Sequence, residues 1–169
     1  MEMLAQGGSN SQIAFTQIYD ECSSRIKAYL WTVSKDQETT SDLFQETFTR
    51  FYKSCTQKRR DGEPMGWLIR IARNLWINTI RDRKQKVELD SIQLVAEIEN
   101  GLEEKEDQRL LKIAIESLPE DMREAVALRF YSEMAYDEIA EILDITAARA
   151  RYLVFTAKAK MKKTLQPYY

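Results

Sequence analysis

The sequence predicts an all-α protein: two small helical domains joined by an acidic linker, with a helix-turn-helix in the C-terminal domain. Apolar residues recur at three- and four-residue steps over most of the chain, which is typical of amphipathic helices. The 169 residues include only five Gly and three Pro. The sign of the charge also reverses abruptly near residue 87. A chain of this length can bury one sizeable core or two small ones.

Composition excludes several classes of function. The chain has no histidine, the commonest general base and metal ligand, so we expect no metal and no other cofactor. No apolar run approaches 18 residues and no signal peptide is evident, which predicts a cytoplasmic protein without a membrane span. The net charge of −2 argues against non-specific coating of nucleic acid. Cys22 and Cys55 lie on apolar stripes, which favours buried free thiols over a disulfide.

Two helices are predicted to begin the first domain, residues 12–86, after a disordered tail of residues 1–11. Apolar residues from Phe15 to Val33 predict one long helix. After a polar break at residues 34–40, a second apolar stripe runs from Phe44 to Cys55. The opposite face of this second helix is polar and carries Asp42, Gln45, Glu46 and Thr49.

A third helix is predicted over residues 64–84, after a polar loop at residues 57–63 (QKRRDGE). Pro64 suits its first turn. One face is apolar, and another presents amides and guanidiniums between Trp67 and Trp76, which can stack on bases while the polar groups bond to base edges. An ordinary solvated face explains these residues equally well. The residues of the polar face are Trp67, Arg70, Asn74, Asn78 and Arg81.

Residues 87–108 are predicted to be the linker, because the basic residues that precede them give way to eight acids opposed only by Lys105. The second domain is expected over residues 109–169. Its core is expected to begin with Leu110, Leu111, Ala114, Leu118, Met122, Ala125, Val126 and Phe130.

Residues 119–164 are predicted to form a helix-turn-helix that ends in a basic tail. Ile139 and Ala140 lie on one helical face, Asp144 tolerates a left-handed turn, and Thr146 can cap the next helix. Leu153 either contacts a thymine methyl or covers the edge of the domain, and we favour the second. A helical hairpin with a solvated basic side is the alternative. The residues expected to face DNA are Thr146, Arg149, Arg151, Tyr152 and Phe155.

Three stretches together resemble the sigma-70 family of bacterial transcription initiation factors, in its extracytoplasmic-function (ECF) group. They are DLFQETFTRFY (42–52), WLIRIARNLWINTIRDRKQ (67–85) and LPEDMREAVALRFYSEMAYDEIAEILDIT (118–146). The resemblance covers nearly the whole chain from Phe15. It implies a non-enzymatic factor that binds core RNA polymerase, recognises the −10 and −35 promoter elements, promotes DNA melting and has an anti-sigma partner.

The resemblance also implies roles for particular residues. Asp42, Gln45, Glu46 and Thr49 would dock on the clamp coiled coil of the polymerase, with the flap as a further contact. The −10 element would be bound by Trp67, Arg70, Arg73, Asn74, Asn78 and Arg81. A loop containing Lys58, Arg59, Arg60 and Asp61 would hold a flipped-out base. The five outward residues of the helix-turn-helix would bind the −35 element.

The recognition helix departs from the family pattern. Residues 148–153 read Ala-Arg-Ala-Arg-Tyr-Leu where members usually have a Gly-Thr-Val-Lys/Arg-Ser-Arg-like run. Arginines often stand at the positions of Leu153 and Thr156, and Ala135 replaces a helix-capping serine. Helical geometry assigns Arg151 to base edges and Arg149 to a phosphate.

Two other classes of protein remain as alternatives. A nuclease or similar enzyme would need a carboxylate cluster for metal ions or a Gly-rich phosphate loop, whereas the acids here lie in the linker or on helix surfaces. A repressor could use the same helix-turn-helix, but it would need neither the Asn- and Trp-bearing helix nor the polar face of the second helix.

Overall fold

The computed structural model describes residues 9–57, 63–87 and 106–168. Every element of secondary structure within these ranges is a helix, which confirms the predicted all-α fold class. The chain divides into two compact units, residues 1–96 and 97–169.

The first unit contains three helices that pack against one another in all three pairs: α1 (Ser9–Ser34), α2 (Gln37–Gln57) and α3 (Pro64–Val87). Tyr29 of α1, Phe51 of α2 and Leu68 of α3 are fully buried where the apolar stripes meet. Pro64 is the first residue of α3, as expected from its fixed φ. Cys22 and Cys55 are buried free thiols, and burial raises the pKa of the Cys22 thiol, which keeps it protonated and unreactive.

Several helix boundaries differ from the sequence prediction. α1 begins at Ser9, so residues 9–11 of the predicted tail are helical, because extending a formed helix costs little. α2 begins at Gln37, which shortens the predicted break of residues 34–40. Residues 106–108 of the predicted linker form the start of α4, where acidic side chains suit the positive end of the helix dipole. Residues 88–105 of the linker lie outside the described residues.

The second unit is built around its longest helix, α7 (Ala147–Leu165), which packs against three others: α4 (Glu106–Glu116), α5 (Glu120–Val126) and α6 (Tyr136–Leu143). A π-helical turn (Ala127–Tyr131) follows α5, and a 3-10 turn (Gln166–Tyr168) follows α7. Ala125, Leu153 and Val154 form part of the core. Two positions predicted for the core are exposed instead, Leu111 at 43% and Phe130 at 52%.

A polar network joins the beginning of α2 to the end of α3. Lys35 takes a positive φ of 56° and reverses the chain after α1. Asp36 then caps α2, accepting hydrogen bonds from the Thr39 backbone N–H at 2.8 Å and from the Thr39 hydroxyl. Arg83 of α3 donates to the same hydroxyl oxygen at 2.6 Å. The Thr39 side chain and backbone, with a smaller contribution from Arg83, lower the pKa of Asp36.

Replacing Asp36 by Ala should lower the free energy of unfolding at pH 7 by roughly 1–2 kcal/mol, the cost of a lost helix cap. Asp36→Asn keeps an acceptor oxygen and isolates the effect of charge. Because the folded-state pKa lies below the unfolded value, the stabilisation by charge is complete above the unfolded pKa and disappears as pH falls through the folded one. Urea unfolding at pH 7 and pH 3 measures this, and an equal difference between parent and Asp36→Asn at both pH values would contradict it.

Candidate nucleic-acid interface

The polar face of α2 is presented to solvent because the other side of the helix is buried. Asp42, Gln45 and Thr49 are exposed, while Glu46 is half-buried. The Glu46 carboxylate accepts a hydrogen bond from Arg50 Nε at 2.6 Å. An exposed pair at this spacing stabilises a helix by only about 0.3–0.5 kcal/mol, so a partner can displace it at low cost.

An aromatic groove that the sequence analysis did not identify borders this polar face. Phe15 of α1 contacts Tyr52 of α2 edge-on, with ring centroids 5.1 Å apart. Tyr52 is more than one-third exposed, although periodicity places it on the apolar stripe. A tyrosine hydroxyl favours a solvated position at the border of a core. This preference is the only feature of the sequence that indicates the partial exposure of Tyr52. The groove is lined by Gln12, Phe15, Thr16, Phe48, Thr49, Tyr52 and Lys53.

α3 carries a ladder of four exposed side chains, Arg70, Asn74, Asn78 and Arg81. At 1.5 Å per residue the ladder is about 16 Å long. Within the described part of the chain, neither asparagine amide has a hydrogen-bond partner, so both can bond to an external group. Arg81 Nε lies 3.9 Å from the Asp82 carboxylate, and both side chains are well exposed. The ladder therefore places two amides between two guanidiniums.

The tryptophans beside this ladder are less available than the sequence suggested. Trp76 is buried and cannot stack on a base, because its ring belongs to the core of the unit. Trp67 is half-buried and packs edge-on against Phe51 at a centroid distance of 5.1 Å, which leaves only part of its ring for a ligand. Arg73 is also half-buried. Lys58, Arg59, Arg60 and Asp61 lie outside the described residues.

The turn between α6 and α7 has the predicted geometry. Asp144 adopts a left-handed conformation with φ 56° and ψ 48°, and Thr146 Oγ1 accepts a hydrogen bond from the Arg149 N–H at 3.2 Å. At the other end of α6, Ala135 offers no side-chain acceptor. Glu138 accepts a hydrogen bond from the Ala135 N–H at 2.7 Å, which supplies one half of a capping box.

The five residues predicted to face DNA are all exposed, namely Thr146, Arg149, Arg151, Tyr152 and Phe155. Phe155 is 76% exposed. Leu153 is only 3% exposed and packs beside Val154, so it neither contacts a thymine methyl nor covers the domain's edge. Its place on the buried stripe of α7 makes it a core residue.

The two recognition-helix arginines have different surroundings. Arg149 Nη2 lies 3.5 Å from the Asp121 carboxylate of α5, and its guanidinium carbon lies 5.3 Å from the Tyr152 ring centroid. The guanidinium carbon of Arg151 lies 5.4 Å from the ring centroid of Tyr136, at the start of α6. The guanidinium carbon of Arg129 lies 5.0 Å from the same centroid. Arg129 and Tyr136 were not singled out from the sequence, because they come from separate elements.

An α-helical unit with an amide and guanidinium ladder, together with a unit containing a helix-turn-helix, defines a DNA-binding protein of the transcription-factor class. Residues 18–86 match the family Sigma-70 region 2, and residues 108–161 match Sigma-70, region 4. The chain belongs to the sigma-70 family, in its ECF group, and is an RNA polymerase sigma factor of transcription initiation.

Individual relatives agree with this assignment. The chain is 27% identical over 150 residues to the ECF RNA polymerase sigma factor SigM of Bacillus subtilis. The alignment covers 86% of this chain and 91% of the relative. It is 30% identical over 144 residues to the ECF RNA polymerase sigma-E factor of Escherichia coli K12, covering 75% of this chain and 73% of the relative.

Solved structures share the fold. The sigma factor RpoE of Bartonella quintana, in complex with the anti-sigma factor NepR, matches with a TM-score of 0.76 and 22% identity, covering 90% of this chain and 97% of that one. CnrH in complex with the cytosolic domain of CnrY matches with a TM-score of 0.68 and 19% identity, covering 98% and 94% of the two chains. Across residues 9–57, 63–87 and 106–168, no helix has the length and apolarity needed to span a membrane.

Leu153→Ala should destabilise the second unit by about 2–5 kcal/mol, because it removes a buried side chain from the core. Phe155→Ala, on the exposed side of the same helix, should change stability by less than about 0.5 kcal/mol. Urea unfolding of the full chain, monitored by circular dichroism, compares the two. Equal stability losses would show that the two faces of α7 are assigned incorrectly.

Proposed function

We propose that this sigma factor docks on the clamp coiled coil of core RNA polymerase through α2, binds and opens the −10 element with α3, and binds the −35 element with α7. The observation that carries the proposal is the exposed ladder on α3. If the Asn74 and Asn78 amides were buried or hydrogen-bonded within the protein, they could not form hydrogen bonds with bases.

The order of side chains on α3 suits single-stranded or opening DNA. An asparagine amide both donates and accepts, and can pair with the edge of adenine. Guanidiniums bind phosphates through charge-assisted bonds. With Arg70 and Arg81 at the ends and Asn74 and Asn78 between them, the ends of the ladder can hold the backbone while the middle contacts bases. Trp67 and Arg73, both half-buried, would support the same surface from its border.

The polar face of α2 suits a different partner. Asp42 and Glu46 are acidic and Gln45 and Thr49 are neutral, so the face is unsuited to a phosphate backbone and compatible with a protein helix. The aromatic groove beside Thr49 offers a place for an apolar side chain of that partner. Together the two features resemble a protein interface, in which an apolar anchor is bordered by polar contacts.

The −35 element would be bound by Thr146, Arg149, Arg151, Tyr152 and Phe155, with Thr146 at the amino end of the recognition helix. Arg149 would leave Asp121 and bind a phosphate, because the exposed ion pair between them contributes little to stability.

Further parts of the proposal rest on the family. Residues 12–86 and 109–169 would act as the two functional domains, joined by the acidic segment 87–108, and residues 58–61 would hold a flipped-out base. The complex of the structural neighbour RpoE with the anti-sigma factor NepR supports an anti-sigma partner for this chain. The flap of the polymerase would be a second contact. The protein would act in the cytoplasm without an enzymatic activity of its own.

Replacing Asp42 and Gln45 together by Ala should weaken binding to core polymerase at least tenfold and leave the fold intact, because both side chains are exposed. The matched control is Gln17→Ala with Asp20→Ala, an amide and an acid at the same spacing on the exposed face of α1. Competition with a labelled parent for core polymerase measures the effect. Equal losses for the two double variants would remove the α2 face from the interface.

Asn74→Ala and Asn78→Ala should leave core binding intact and reduce open-complex formation, since each removes a base-edge contact worth about 1–3 kcal/mol. Permanganate reactivity of unpaired thymines near the start site reports the open complex. Gln17→Ala, which removes an amide from the exposed face of α1, serves as the control. Parent-level reactivity in both asparagine variants would show that the ladder is only solvated surface.

A further inference from the structure

An exposed isoleucine interrupts the polar ladder of α3. We propose that Ile77 contacts the 5-methyl group of one thymine in the −10 element and thereby distinguishes thymine from cytosine at that position. The inference rests on the proposed binding of the −10 element by α3. It adds an apolar, specificity-determining contact to a surface otherwise made of amides and guanidiniums.

The exposure of Ile77 sets it apart from the other apolar residues of its helix. Its side chain is 41% exposed, and it is the one exposed apolar side chain among residues 64–83 of α3. A single exposed isoleucine on a protein surface is ordinary. The surroundings make this one informative, because every other exposed side chain among those residues is charged or an amide.

Helical spacing places Ile77 within the ladder. Asn74 precedes it by three residues and Arg81 follows it by four, the separations at which side chains are neighbours on a helix surface, with Cβ atoms about 5–6 Å apart. With about 100° of rotation per residue, Ile77 and Asn78 lie on opposite sides of the line that joins Asn74 to Arg81. A ligand that contacts both asparagines and Arg81 therefore also covers Ile77.

The chemistry of the isoleucine side chain decides which group of the DNA can cover it favourably. An aliphatic side chain cannot form a hydrogen bond, so a phosphate or a polar base edge placed on it loses water without gaining a partner. The thymine 5-methyl is the apolar group that base edges present in the major groove. Its burial against Ile77 is favourable, while an adjacent asparagine amide remains able to pair with an adenine edge. Cytosine and uracil carry only hydrogen at this carbon and lose the contact.

The test uses holoenzyme, assembled from core polymerase and the full chain. The parent first selects its preferred −10 sequence from a randomised promoter library. Each thymine of that −10 element is then replaced singly by deoxyuridine, which keeps the base pair and removes only the methyl group. At one thymine the replacement should weaken binding by the parent about threefold to fivefold, the factor expected for one buried methyl group.

Variants of the chain assign the methyl contact to Ile77. Ile77→Ala should bind the thymine and deoxyuridine promoters equally at that position. Ile77→Gln, which keeps the length of the side chain and suits a helix, should also lose the difference. Asn74→Ala should bind both promoters more weakly and keep the parent's ratio between them. Leu111→Ala, which removes an aliphatic side chain of similar exposure, 43%, from the second unit, should behave like the parent.

Three results would overturn the inference. They are a parent that binds every deoxyuridine promoter as tightly as the thymine promoter, an Ile77→Ala variant that keeps the parent's ratio, or a selected −10 element without thymine. If Ile77→Ala does not fold, the ratio for Ile77→Gln decides. A parent holoenzyme that selects no −10 sequence would refute the proposed function as well, whereas normal selection with any of the three results refutes the methyl contact alone.

Discussion

Each of α2, α3 and α7 buries one apolar stripe, and this burial is the constraint on which the proposed binding surfaces depend. With 3.6 residues per turn, the side chains that fill the core determine which ones remain for a partner. In α7, burying Ala150, Leu153, Val154 and Ala157 leaves the arginines and Phe155 outside. The same rule leaves the acid and amide face of α2 and the amide ladder of α3 exposed. Each of these helices therefore contributes both to the core and to a proposed binding surface.

Small residues make this arrangement possible in the second unit. Ala114, Ala125, Ala150 and Ala157 are fully buried, which allows α4, α5 and α6 to approach α7 closely. Leu153 of the recognition helix lies within the core. Arg129 of the π-helical turn and Arg151 of α7 each have a guanidinium carbon within 5.4 Å of the Tyr136 ring centroid.

In the first unit, the network of Asp36, Thr39 and Arg83 has a consequence for mechanism. It connects the start of α2 to the end of α3 through hydrogen bonds and a charge, while Phe51 and Trp67 connect the same two helices through ring contact. The surface proposed for polymerase and the surface proposed for the −10 element thus belong to helices that are held together at two points. Binding of polymerase by α2 would therefore orient α3 without any rearrangement within the unit.

The sequence by itself determined the helical fold class, the start of α3 at Pro64, the left-handed turn at Asp144 and the Thr146 cap, because these depend on local spacing and backbone preference. It also identified the exposed residues of the α3 ladder and of the recognition helix, where apolar residues recur at regular three- and four-residue steps. Only the tertiary structure decided the burial of Trp76 and Leu153, the exposure of Phe130, the aromatic groove, and the grouping of Arg129, Tyr136 and Arg151. Each of these depends on which element packs alongside, and a period read along one helix contains no information about its neighbours.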